Sequence, residues 1–365
     1  MLPAADPPLQ DIIEQVQAAR RDKTPLNICG GGTKAFYGQP ATGLALDMRA
    51  LAGISSYEPS ELVVTVRAGT LLAELEATLA EQGQCLPFEP PRFDAGGTVA
   101  GMVAAGLAGP ARAAVGSVRD YVLGASLLNG RAELMSFGGQ VMKNVAGYDV
   151  SRLLAGSMGM LGVICEVSLK VLPRPVATAT LRFEMDQAPA LDKLNAWGGQ
   201  PLPLSASAWW EGALVLRLAG ASAAVQSATA RLGGEVIEPE LAAMFWRGMR
   251  DQRDEFFAGA KKAVAGGATL WRLSLPQTAP VLALSGEQLV EWGGAQRWLC
   301  TAAPAAPIRE AAAAVGGHAT RFMSLERSAP AFAPLSAPLE RYHRELKAAF
   351  DPEGIFNIGR LYPGL

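Results

Sequence analysis

Chemistry in this sequence is concentrated in glycine-rich turns rather than in clustered nucleophiles or metal ligands. Gly30-Gly31-Gly32-Thr33-Lys34 follows a short apolar run. Successive small residues let several backbone N–H groups converge into a nest for an anion. Thr33 adds a hydroxyl and Lys34 a positive charge, so a pyrophosphate is the matching ligand. A surface turn is an equally good reading of this loop taken alone. If the loop does cradle phosphate, a branched side chain at Gly31 is expected to fill the phosphate space. A second cluster, Gly96-Gly97-Thr98-Val99-Ala100-Gly101, opens a run of small residues that ends at Gly109-Pro110. Gly116-Ser117-Val118-Arg119-Asp120 follows it. Small residues of this kind let backbone lie against a flat ring system. The third cluster is Gly156-Ser157-Met158-Gly159-Met160-Leu161-Gly162-Val163-Ile164, preceded by Lys143-Asn144-Val145-Ala146-Gly147-Tyr148-Asp149. It sits at the mouth of a strand whose Val163, Cys165, Val167, Leu169 and Val171 share one face, opposite Glu166, Ser168 and Lys170.

Acid–base and metal chemistry are sparsely provided. The chain has two histidines, His318 in a predicted turn and His343 beside the apolar face of a predicted helix, and no metal-ligand constellation. Arg321, Arg360, Lys143 and Tyr148 could bind a carboxylate, but each also reads as an ordinary surface or structural group. No catalytic residue is assigned. Two nucleotide motifs fail on context. Gly30-x-Gly32-x-x-Ala35 matches a dinucleotide fingerprint with Asp47 as ribose acid, yet Phe36-Tyr37-Gly38-Gln39-Pro40 will not sustain the helix the fingerprint needs. A Walker A sequence is absent from the chain.

These loops must be positioned by the elements between them. A helix is predicted over residues 10–20, strands over 26–29, 44–47, 62–66 and 122–128, and a helix after Gly69-Thr70 with Leu72, Leu75 and Leu79 inward. This mixed order predicts an α+β fold. All seven tryptophans fall between 197 and 298, whereas most tight glycine clusters precede 170. Pro173-Arg174-Pro175 therefore divides a first domain, 1–173, from a second, 176–325, which would be a smaller α+β cap or interaction domain. A connector rich in Pro, Ala and Ser leads to a helix with Leu339, Tyr342, Leu346 and Phe350 on one face. The apolar tail beyond it is expected to dock back, so that 338–365 packs on the first domain.

Composition excludes other classes. The 365 residues carry a net charge of −2 with no basic–aromatic run, which excludes a nucleic-acid partner. Four scattered cysteines form no Cys-x-x-Cys pair, which suits a reducing cytoplasm. The longest uncharged apolar stretch, 95–111, is short for a membrane span and interrupted by glycines and a proline. Composition leaves room for peripheral membrane attachment through a partner.

Taken in order, the three clusters resemble the FAD-binding domain of the vanillyl-alcohol oxidase or p-cresol methylhydroxylase (PCMH) type, over roughly residues 8–173. Within that family the chain is similar to the smaller FAD-binding subunits of bacterial glycolate oxidases. The segments that carry this likeness are Gly109-Pro110-Ala111-Arg112 to Asp120, and Lys143 to Arg152. Phe350-Asp351-Pro352 and Phe356-Asn357-Ile358-Gly359 are similar to the family's closing motif, with Ile358 in place of its proline. The resemblance implies that Gly30, Gly31, Gly32, Thr33 and Lys34 wrap the FAD pyrophosphate. It implies that Thr98 and Gly101 approach the ring or ribityl region, that Gly97 also belongs to the cofactor site, and that Gly116 and Arg119 line the same pocket. Gly159, Gly162, Val163 and Ile164 would meet the adenine end. Thr33 stands where several relatives carry an attaching histidine, so the FAD is expected to be non-covalent. The implied function is a flavoprotein subunit of a glycolate (2-hydroxy acid) oxidase, relaying electrons beside a larger FAD-containing catalytic subunit and an iron–sulfur subunit. A self-sufficient FAD-dependent 2-hydroxy acid dehydrogenase and a non-catalytic scaffold are the alternatives.

Overall fold

The computed structural model describes residues 6–139 and 149–365. Its first half builds a sheet from segments far apart in sequence. Helix α1 (Pro7–Asp22) buries Leu9, Ile12, Val16 and Ala19, spaced three and four apart. Strands β1 (Leu26–Cys29) and β2 (Leu44–Asp47) pair in parallel, with the glycine loop and its following turns between them. Then come β3 (Ile54–Glu58), β4 (Val63–Arg67), α2 (Leu72–Glu81) and β5 (Gln84–Cys85). The second glycine cluster opens α3 (Val99–Ala105), with Thr98 as N-cap and Gly106 as left-handed C-cap. Short helices α4 (Arg112–Val115) and α5 (Val118–Tyr121) lead into β6 (Val122–Leu128) and β7 (Leu134–Gly138). Helix α6 (Val150–Leu153), β8 (Val163–Lys170) and β9 (Leu172–Pro173) complete this half.

The order β3-β4-β8-β6-β7 makes an antiparallel sheet with β8 at its centre. The period of β8 is as predicted, but its polar face is not solvated. Glu166 is 6% exposed and accepts from Ser55 Oγ at 2.5 Å, and Ser168 hydrogen-bonds Thr65 at 2.8 Å. A central strand has neighbours on both edges, so its polar row finds partners on the flanking strands. Alternation alone cannot distinguish that from contact with water.

The second half forms an eight-stranded antiparallel sheet. Its strands are β10 (Ala177–Glu184), β11 (Leu204–Trp210), β12 (Ala213–Gly220), β13 (Glu235–Ile237), β14 (Thr269–Ser274), β15 (Glu287–Glu291), β16 (Gln296–Thr301) and β17 (His318–Ser324). They lie in the order β13-β10-β12-β11-β15-β16-β14-β17. Helices α7 (Gln187–Gly198) and α8 (Ser222–Leu232) cover one end through Leu194 and Val225. Helices α9 (Pro239–Asp251) and α10 (Glu255–Ala265) pack Trp246, Met249, Phe256 and Phe257 toward the first half, and α11 (Ala305–Ala314) lies over Trp271 and Leu299. His318 opens β17 opposite Ser274 rather than lying in a turn. The tryptophans serve the core: Trp246, Trp271, Trp292 and Trp298 are buried and the other three half-buried. No helix among the described residues is long and apolar enough to cross a membrane.

The chain then returns to the first sheet through α12 (Ala337–Phe350). Here the predicted apolar face packs only at its end, where half-buried Phe350 meets the first core and the Phe137 ring. Leu339 and Tyr342 are 50% and 55% exposed, and the helix is anchored instead through buried Lys347. Lys347 Nζ donates to Asp351 Oδ2 (2.7 Å), Met160 O (2.8 Å) and Phe356 O (2.7 Å). Beyond the helix, Leu26 N donates to Ile355 O (2.7 Å) and Asn357 N to Leu26 O (3.0 Å), laying the tail against β1.

Candidate cofactor site

The first two glycine clusters meet backbone to backbone. A Cβ placed on Gly31 would lie 1.6 Å from the Gly96 carbonyl oxygen, and one on Gly97 would lie 3.5 Å from Thr33 Oγ1. The loop after β1 can only rest on the loop before α3 because neither carries a side chain at the contact. This corrects the expectation for Gly31. A branched side chain there would strike Gly96 and part the two loops, not fill a phosphate space. The residue that faces open space is Gly32, where an added Cβ meets nothing within 4 Å.

Together these loops wall a trough of about 350 Å³, continued by a narrow slot of about 60 Å³. Gly30, Gly31, Gly32, Thr33 and Lys34 form one wall, with Thr98, Gly101, Ala104 and Ala105 of α3 and its cap opposite. Gly159, Gly162 and Ile164 from the third cluster line the slot. Gly159 leaves room for a tail residue, since a Cβ there would meet Asn357 Nδ2 at 2.6 Å.

Three of the expected site residues are placed elsewhere. Gly116 packs against Asp120, whose carboxylate accepts from Ser117 N (2.8 Å) and Ser117 Oγ (3.0 Å) in a capping box. Arg119 is exposed on α5, and the Val163 side chain is in the core of the first sheet. None of the three lines the trough or the slot. Gly97 stands behind Thr33 rather than in the lining. Lys143 and Tyr148 lie outside the described residues.

Two contributors arrive from distant sequence. Asn357 Oδ1 accepts from Ile28 N (2.8 Å) and its Nδ2 donates to Met158 O (2.6 Å), so one amide joins β1 to the third cluster across the slot. Arg360 and Arg327 line the trough, and Arg360 Nη2 donates to Lys34 O (3.2 Å) and Ala35 O (3.3 Å). The asparagine stood in the closing motif that the resemblance supplied, and Arg360, one residue beyond it, was read as a possible carboxylate binder or a structural charge. Arg327, in a connector read as filler, gave no sequence signal.

Electrostatically the trough is one-sided. Among the described residues Lys34, Arg327 and Arg360 line it and no carboxylate does. Among the described residues none of the three forms an ion pair with an acid. Burial lowers the Lys34 ammonium to about 8, Asp251 opposing the shift. Its near neighbours are Thr33 Oγ1 at 3.4 Å and the Phe93 ring at 5.6 Å. Three buried or half-buried cations around a cavity, beside open amide-lined backbone, fit a diphosphate.

The Lys34 shift has a testable sign. Its folded value, about 8, lies below the unfolded 10.5, so the fold carries the full penalty of the charged form below pH 8. That penalty is relieved as pH rises toward 10.5. Cofactor-free Lys34→Met is therefore expected to be more stable than wild type at pH 7, by about 3 kcal/mol. The gap should close by about pH 10.5, as read by urea denaturation across that range. A gap independent of pH would show that Lys34 is not held in an unfavourable charged state.

Comparison with known proteins gives the family. A family model described as an FAD binding domain matches residues 9–138. A solved structure of alkyldihydroxyacetonephosphate synthase superimposes with a TM-score of 0.63, covering 95% of this chain and 74% of that one at 15% identity, a likeness of fold. The FAD-domain match, with the relative described next, makes the chain a member of the FAD-binding oxidoreductases of the PCMH type. Over 356 residues the chain is 50% identical to glycolate oxidase subunit GlcE of Escherichia coli (strain K12), covering 98% of each. It belongs to the family of that subunit. The D-lactate dehydrogenase of Anaerostipes hadrus and glycolate oxidase subunit GlcD of Bacillus subtilis (strain 168) are each 29% identical, over 47% and 42% of this chain. This chain covers 36% and 32% of those two proteins.

Proposed function

We propose that this chain is the FAD-binding subunit of a glycolate oxidase, acting beside a larger flavoprotein subunit that carries the substrate chemistry and an iron–sulfur subunit. The observation that supports it most is a trough lined, among the described residues, by three cations and no carboxylate, on a chain half identical to a glycolate oxidase subunit along its length. In this reading residues 1–173 are the FAD-binding domain, 176–325 the cap or interaction domain, and 338–365 the returning segment. Gly30 to Lys34 hold the diphosphate, Thr98 and Gly101 flank it, and Gly159, Gly162 and Ile164 take the end nearest Asn357. FAD, when bound, supplies a ring that accepts and passes on electrons. We take FAD to be non-covalent. Among the described residues no histidine lines the trough, and burial, with Asp47 nearby, raises the pKa of the lining Cys29 thiol. Any membrane association would run through the partners.

The self-sufficient reading finds a candidate base in Glu291. Glu291 is buried, and burial raises its carboxyl to about 7, against hydrogen bonds from Trp298 Nε1 (2.6 Å) and Gln296 Nε2 (2.9 Å) that lower it. A base poised near neutrality is useful in catalysis. The cavity that Glu291 shares with Arg272 and Gln252 is only about 20 Å³, however. That holds one water and not a 2-hydroxy acid. We therefore prefer the subunit reading. Its test is the purified chain with glycolate and an artificial electron acceptor. A flavin spectrum without turnover is expected, with yellow colour released to the supernatant on acid precipitation. Turnover by the isolated chain rules the subunit reading out, and flavin retained in the pellet rules out non-covalent binding.

A further inference from the structure

The trough receives positive charge from the segment that leaves the second sheet as well as from its own loop. After β17, residues 325–336 run back across the 35–39 turns. Arg327 Nη2 donates to Ala35 O and Gly38 O, both at 3.0 Å. Gln39 Oε1 accepts from Ala331 N at 3.0 Å. On the other side Arg321 Nη1 donates to Ala329 O (3.0 Å) and Arg309 Nη2 to Pro330 O (2.6 Å). The segment is thus a strap fastened to the second sheet at one edge and to the glycine loop's outer turns at the other.

Its charge is unmatched. Glu326, next to Arg327 in sequence, is committed elsewhere: it accepts from Arg321 Nη2 (2.8 Å) and Ser328 N (2.5 Å). Arg327 and Arg360 line the same trough, and burial lowers the Arg360 guanidinium to about 10, with Arg327 adding to the effect. Two neighbouring guanidiniums that bond only carbonyls repel one another, and an anion between them removes that cost.

We propose that Arg327 is an anion clamp, through which the diphosphate of the bound dinucleotide draws the 325–336 strap down over the trough. The proposal rests on the FAD reading above. Cofactor binding and seating of the strap are then one event, and the second sheet is tied to the first more firmly when the cofactor is in place. Free phosphate-bearing fragments should engage the clamp and phosphate-free flavin should not.

The test uses the full chain stripped of flavin. FAD affinity is read from flavin fluorescence at low and high salt, and strap seating from cleavage by a glutamate-specific protease after Glu326, whose side chain is 56% exposed. In wild type, FAD and ADP should slow that cleavage and riboflavin should not. Arg327→Gln should weaken FAD binding about tenfold, the loss expected for a charge-assisted contact, flatten its salt dependence and abolish the protection. Arg327→Lys should recover part of the affinity, which guards against a folding artefact. Arg341→Gln, on the exposed side of α12, should change nothing. Equal FAD affinity in wild type and Arg327→Gln with unaltered protection overturns the clamp and leaves the cofactor reading standing. A wild-type chain that takes up no FAD overturns both.

Discussion

Replacing Ala104 with tryptophan is expected to abolish FAD binding and leave the fold standing. Ala104 lies on α3, is half-buried, and lines both the trough and the slot. Its backbone is helical, so a larger side chain brings no left-handed strain. An indole there has one direction open to it, into the space between α3 and the glycine loop. Flavin affinity should fall by more than about a hundredfold, equivalent to roughly 3 kcal/mol. Urea denaturation of the cofactor-free protein should move by less than that, because the indole enters a cavity and not a packed core. Ala104→Ser is the control and should bind FAD normally. A tryptophan variant that still takes up flavin stoichiometrically would place the cofactor elsewhere.

Asp351→Ala is expected to cost about 3–5 kcal/mol of stability. Asp351 is 1% exposed and Lys347 8%. Besides pairing with Lys347, the carboxylate accepts from Ile355 N (3.0 Å) and Phe356 N (2.8 Å). Its removal leaves an ammonium buried with carbonyl partners only and two buried amides without acceptors. The turn it organises carries Asn357 to the slot, so flavin affinity should fall with stability. The double variant Lys347→Met/Asp351→Ala should recover part of the loss, since the unpaired charge is gone. Chemical denaturation measures both. A loss below about 1 kcal/mol would mean that the pair is not what anchors the tail.

What could be read in the sequence follows from what leaves a local mark. The glycine clusters were visible because backbone approach requires the absence of a side chain. The strand at 163–170 was visible because the alternating residues lie within a few positions of one another. Long-range partners leave no such trace. Asn357 meets Ile28 across 329 positions, and only its likeness to a closing motif drew attention to it. Arg327 sat in a segment whose Pro, Ala and Ser content describes a linker and says nothing of its one arginine. Gly116, Arg119 and Val163 were placed at the site by resemblance alone, and local capping or core packing accounts for them here. The apolar face of α12 was half legible: Phe350 packs on the core, but Leu339 and Tyr342 stay exposed, and it is Lys347, stem inward and ammonium satisfied, that the fold buries.

The tail's contact with β1 also sets an order of events during synthesis. The glycine loop emerges among the first forty residues, whereas Asn357 and Arg360, which complete its walls, are made more than three hundred residues later. A nascent chain therefore holds an unfinished trough throughout elongation. Cofactor capture belongs to the last stage of its biogenesis, after both sheets exist and the returning segment has threaded back between β1 and the third glycine cluster.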